Sequence, residues 1–230
     1  MAEEAEAAGR SHPRDHRGEA IWPCQTNAET PARCRSVRRS KWFKDASDVG
    51  LGVELELAVL KTTLATYPLL PASLSLSINT SPETVMSRRL SDIIPPAYAP
   101  RTIIEITEHA LVSNYAALHA QLTPLKQLGV QVAVDDAGAG YSGLQHIVQL
   151  GPDIIKMDMS LTRSVDTDPA RRALVRAMVF YAREVGSRVV AEGIETASEL
   201  STLEALGTDR GQGYLLGKPG TLAALQNACV

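Results

Sequence analysis

The sequence predicts an α/β fold of parallel strands joined by crossover helices. Three observations predict it. From Trp42 onward short β-rich runs alternate with longer helical segments, successive runs start roughly 22 to 35 residues apart, and polar residues collect where the runs end. That spacing suits either a (β/α)8 barrel or a doubly wound sheet. Eight barrel units of about 27 residues need roughly 215 residues, whereas residues 42–220 supply 179. Six strands can be counted. A barrel would therefore lack its first strand or strands, or take them from residues 1–41.

The elements follow in order. Residues 42–66 read as a helical region, with Leu51, Leu55, Ala58 and Val59 spaced as one apolar face. Beyond Pro68 and Pro71, Leu74–Asn79 alternates apolar and polar residues with period 2, the mark of a strand. Further strands are expected at Thr102–Thr107, Gln131–Asp135, Asp153–Asp158, Arg188–Glu192 and Gly211–Leu216. The intervening helices are expected at 114–128, 169–185 and 197–206. Gly129, Gly186 and Gly207 stand just beyond them, where a helix end calls for a residue tolerant of positive φ.

Residues 1–41 differ from the rest. They carry eight Lys/Arg and six Asp/Glu, and their few large apolar residues follow no period, so they are expected to be irregular and poorly ordered, with the barrel domain over 42–230. The basic run Arg33, Arg35, Arg38, Arg39 and Lys41 reads as a solvated tail. A net charge of −3 argues against a generic nucleic-acid or anionic-membrane binder. No apolar run reaches the roughly 18 residues needed to span a bilayer, and no signal peptide is evident, so a cytoplasmic location is expected. Cys24, Cys34 and Cys229 are too few and too scattered for a disulfide framework or a zinc site.

Polar residues mark the strand ends: Asn79, Glu105, Asp135 with Asp136, Lys156 with Asp158, Glu192 with Glu195, and Gln212 on the last. In parallel α/β folds the carboxyl ends of the strands converge on one face, where ligands bind. Carboxylates, amides and one lysine on that rim would form a hard-oxygen cage whose negative charge calls for a divalent cation. Without His or Cys, the set favours Mg²⁺ or Mn²⁺ over Zn²⁺.

At these residues the sequence closely resembles the EAL family of cyclic di-GMP phosphodiesterases. The resemblance rests on Ser77-Ile-Asn79-Thr-Ser81, Glu105-Ile-Thr-Glu108, Asp135-Asp136-Ala-Gly-Ala-Gly-Tyr-Ser142 and Asp153-Ile-Ile-Lys156-Met-Asp158. It continues through Ala191-Glu192-Gly-Ile-Glu195, Gln212-Gly213-Tyr214 and Lys218-Pro219. It implies a modified (β/α)8, TIM-like barrel and hydrolysis of cyclic di-GMP to linear pGpG with divalent metal. By resemblance, Asn79, Glu105 and Asp135 are ligands of a first cation, and Asp136 of a second that Asp135 bridges. Lys156 orients the attacking water. Glu192 supports metal binding or acts as a base, and Glu195 steadies the loop after Asp135-Asp136. Gln212 lies near metal water or substrate, with Asp158 in a supporting place. Homodimerisation and a separate regulatory protein are implied partners.

The sequence departs from the family in two places. The Glu-Ala-Leu string that names it, whose Glu is a metal ligand, is missing from its early strand; the copy at Glu204-Ala205-Leu206 is in a late helix. Glu19-Ala20-Ile21 is a degenerate candidate, and truncation or a frame shift would account for the odd composition before Trp42. The loop after the aspartates also carries Ala137, Ala139 and Gly143 in place of Phe, Thr and Ser. Two functional readings follow. One is a metal-dependent phosphodiesterase, impaired if the missing Glu is not replaced; the other is an inactive EAL domain that binds cyclic di-GMP or a protein partner.

Overall fold

The structure, a computed structural model, describes residues 39–107, 112–138, 143–218 and 220. Glu19, Glu108, the loop 139–142, Pro219 and all of the basic run before Arg39 lie outside the described residues. The chain opens with helices α1 (Arg39–Asp48) and α2 (Gly52–Leu64), then strand β1 (Leu76–Asn79) and short helices α3 (Pro82–Met86) and α4 (Leu90–Ile93). Strand β2 (Thr102–Thr107), helix α5 (Tyr115–Gln127), strand β3 (Gln131–Ala137) and helix α6 (Gly143–Leu150) follow. The chain continues with β4 (Ile154–Met157), α7 (Met159–Thr162), α8 (Pro169–Val185), β5 (Arg188–Ala191), α9 (Ala197–Leu206) and β6 (Arg210–Gly211).

The six strands form one parallel sheet in the order β1-β2-β3-β4-β5-β6. A doubly wound sheet reverses its strand order at a switch point. No reversal occurs among the described residues, which decides for a TIM-like barrel, six strands of which lie among those residues. Two expected elements are corrected. The helical region 42–66 is two helices, because Gly50 takes φ +75 and turns the chain. The last strand is Arg210–Gly211 rather than Gly211–Leu216, since residues 214–216 form a turn.

Strand register sorts side chains onto two faces. Ile104 and Ile106, Val132 and Val134, Ile155 and Met157, and Val189 and Ala191 face the helices and join the main core. On the opposite face Ile103, Ala133 and Ile154 form a small buried cluster with Val190 against it. Two residues further along those four strands stand Glu105, Asp135, Lys156 and Glu192, still on the inner face. A thin apolar layer thus floors a layer of charge at the carboxyl ends of the strands.

Candidate functional site

Lys156 is the hub of that layer. Its ammonium lies 2.6 Å from Asp135, 2.9 Å from Glu105 and 2.9 Å from Glu192, drawing together the ends of β2, β3, β4 and the residue after β5. All four side chains are at least 85% shielded from solvent. Three ionised carboxylates around one ammonium leave two negative charges uncompensated in a low-dielectric pocket. Burial pushes Glu192 up to about 7, reinforced by Asp135 and Glu105 and opposed by Lys156. Burial also raises Glu105, which Lys156 and the Ser77 hydroxyl, 2.5 Å away, partly offset. Burial works against the Lys156 ammonium, but Glu105, Glu192 and Asp135 outweigh it and keep the group charged beyond its usual range.

Strict alternation would send Asp135 and Asp136 to opposite faces of β3. The register against β4 shifts between Val134 and Ala137, and Asp136 takes φ +58, an unusual conformation for a residue with a Cβ. The bulge lets both aspartates serve one rim. Carboxylate oxygens of Asp135, Asp136 and Glu192 lie within 4.8 Å of one another. Hard oxygen donors, an excess of negative charge and the absence of any His or Cys from the cluster fit a divalent cation of the Mg²⁺, Mn²⁺ or Ca²⁺ kind.

The remaining residues singled out in the sequence fall into place differently. Asn79 ends β1 in register with Glu105, exposed at the rim. Gln212 follows β6 and is tied by its backbone to Ala191 and Ile194. Asp158, which follows β4 close to Lys156, caps α7 by accepting the Ser160 N–H at 2.8 Å. Glu195 pairs with Arg163; the loop 139–142, its expected neighbour, lies outside the described residues.

Three contributors escaped the sequence reading. Ser77 bonds Glu105, and the buried Thr162 hydroxyl donates to the Glu192 carbonyl. Glu199 accepts backbone N–H groups from two rim loops. Only Glu199 carried a legible signal, the capping box Thr196-x-x-Glu199 ahead of an apolar run.

Fold and site together define a parallel α/β barrel protein with a carboxylate and lysine centre suited to a divalent cation. More narrowly, the chain belongs to the EAL domain family, whose model matches residues 25–219. Cyclic di-GMP phosphodiesterase PA2567 of Pseudomonas aeruginosa is 39% identical over 116 residues, which are 50% of this chain and 20% of that protein. The chain thus spans about a fifth of that relative's length. Among solved structures, the PaMucR phosphodiesterase in complex with c-di-GMP superposes with TM-score 0.72 at 28% identity, covering 82% of this chain and 87% of the other. The calcium/cy-diGMP complex of Klebsiella pneumoniae BlrP1 gives 0.67 at 28%, covering 79% and 48%. Glu19 precedes the matched range. No helix among the described residues is long and apolar enough to cross a membrane.

Proposed function

We propose that this chain is a divalent-metal-dependent phosphodiesterase that opens cyclic di-GMP to linear pGpG in the cytoplasm. The observation that carries the reading is the convergence of Asp135, Asp136 and Glu192 within 4.8 Å, beside a lysine bonded to three carboxylates. Asn79, Glu105, Asp135 and Asp136 are the residues that would hold Mg²⁺ or Mn²⁺ in two sites. Such ions, when bound, lower the pKa of a coordinated water and offset the charge of the phosphodiester. Lys156 remains protonated, so its part is cationic: it fixes the carboxylates and attracts the anionic substrate. Glu192, poised near neutral pH, is suited to take a proton at its carboxylate. Asp158, Glu195 and Gln212 shape the rim, with a second copy of the chain and a separate regulatory protein as further partners.

One specific observation favours a second reading, a cyclic di-GMP-binding module without turnover: the Glu-Ala-Leu string is missing before Trp42, and Glu19 lies outside the family match. A chromatographic time course with cyclic di-GMP separates the two. Formation of pGpG in Mn²⁺, absent with chelator and absent in Asp135→Asn, is the expected outcome. Intact substrate beside saturable binding of cyclic di-GMP would assign the chain to the binding class.

A further inference from the structure

We propose that Glu199 is a positioning residue for Glu192, acting as a carboxylate strut between the two loops that flank it; the inference rests on the reading of Glu192 as part of a metal-dependent site. Glu199 is the third residue of α9 and belongs to neither the lysine hub nor the metal-competent group, yet it is only 6% exposed. Its two oxygens are divided between two loops. Oε1 accepts the Ser164 N–H at 2.9 Å, beyond the end of α7. Oε2 accepts the N–H groups of Glu195 at 3.0 Å and Thr196 at 3.1 Å, in the loop that begins with Glu192.

A capping box alone requires only the reciprocal bonds with Thr196. The bond to Ser164, 35 positions earlier, has nothing to do with starting α9. Ser164 also sits at φ +55, a left-handed conformation disfavoured for a residue with a Cβ, which such a tether helps to hold.

The two loops meet at three further points. Thr162 donates to the carbonyl of Glu192 itself, and Arg163 pairs with Glu195. At Gly193, φ +71, a Cβ would lie 2.5 Å from Met159 Cβ, so α7 is pressed directly against the residue after Glu192. Helix α7 is in turn capped by Asp158, two residues after Lys156. Lys156, on β4, and Glu192, just beyond β5, therefore lead into two segments that Glu199 ties together.

Glu199→Gln is the discriminating variant. A Gln at this position still completes a capping box, but its NH₂ cannot accept from Ser164, so the strut is cut while the helix start survives. The expected result is a modest fall in thermal midpoint with cooperative unfolding retained, and faster amide hydrogen exchange at Ser164 and through residues 192–196. A loss of Mn²⁺ affinity or of kcat of about ten-fold or more should accompany it, with KM little changed. Thr162→Val, which leaves Glu199 and its cap in place, should reproduce the metal and kcat effects. Unchanged exchange in Glu199→Gln, or faster exchange with unaltered Mn²⁺ affinity, would overturn the proposal. Exchange and calorimetric Mn²⁺ titration need no turnover, so a wild-type chain that binds Mn²⁺ but makes no pGpG would sink the phosphodiesterase reading and leave this test standing. A wild-type chain that binds no Mn²⁺ would remove the site and the strut's role together.

Discussion

At the scale of single residues, the centre is governed by a mismatch between three buried carboxylates and one ammonium. The residues carrying it were legible in the sequence, because a Glu, an Asp or a Lys at the end of an apolar strand conflicts with burial unless it has a partner. Their pairing was not legible. Lys156 and Asp158 share one strand end and look like partners in sequence, but register sends Lys156 inward and leaves Asp158 to cap α7. The mismatch predicts a pH dependence in metal-free protein. Glu192 ionises near 4.5 unfolded and near 7 folded, so across that window the folded state binds more protons and stability falls as pH rises. Burial raises Glu105 in the same sense. Glu199 has the opposite sign: burial pushes it up, but its backbone N–H donors outweigh burial and lower it, so its contribution is lost only as pH falls below about 4.5. In chelator, thermal midpoints of wild type should fall relative to Glu192→Gln between pH 5 and 7 and level off above. Parallel profiles for the two proteins would show that Glu192 is not raised.

At the scale of elements, legibility followed the length of the periodic signal. Helices α8 and α9 match their expected spans of 169–185 and 197–206, each bounded by a capping side chain and a left-handed glycine. Strand β2 likewise matches Thr102–Thr107. The elements without expectation were α3, α4 and α7, one turn or little more, which show no 3.6-residue period, and α6, which follows the Asp135-Asp136 loop closely. Strand β6 was misplaced because Gly211–Leu216 carries strand-like residues on a backbone committed to a tight approach at Gly213. A Cβ there would overlap the backbone N and O of Ile194. Neither partner is a flexible side-chain tip, so the strain cannot be relieved locally. Gly213→Ala should destabilise the protein by about 1–3 kcal/mol, read by urea unfolding, and should disturb the loop joining Glu192 to Ile194. A variant as stable as wild type would mean that the two segments separate freely.

At the scale of the whole molecule, the sheet acts as a device for concentrating charge. Sequential parallel order brings every carboxyl end to one face, and the apolar layer of Ile103, Ala133, Ile154 and Val190 denies those charges water from below. The chain's net charge of only −3 thus conceals a cluster in which Glu105, Asp135, Asp136 and Glu192 face a single lysine. Folding such a cluster costs free energy that a divalent cation can return, because the ion binds the assembled carboxylates and not the unfolded chain. Free Mn²⁺ at about 100 times its dissociation constant should stabilise the fold by about 2.7 kcal/mol, a rise of roughly 5–10 °C in midpoint for a chain of this size. The rise should grow with the logarithm of ion concentration and vanish in Asp135→Asn, which removes a carboxylate shared by the lysine hub and the metal-competent group. It should also be larger at pH 8 than at pH 5.5, because Glu192 must give up its proton for its carboxylate to meet the ion. Thermal scans over a series of Mn²⁺ concentrations at the two pH values measure all three effects. A midpoint indifferent to the ion at pH 8 would mean that Lys156 alone satisfies the carboxylates and that the rim is a structural salt-bridge network.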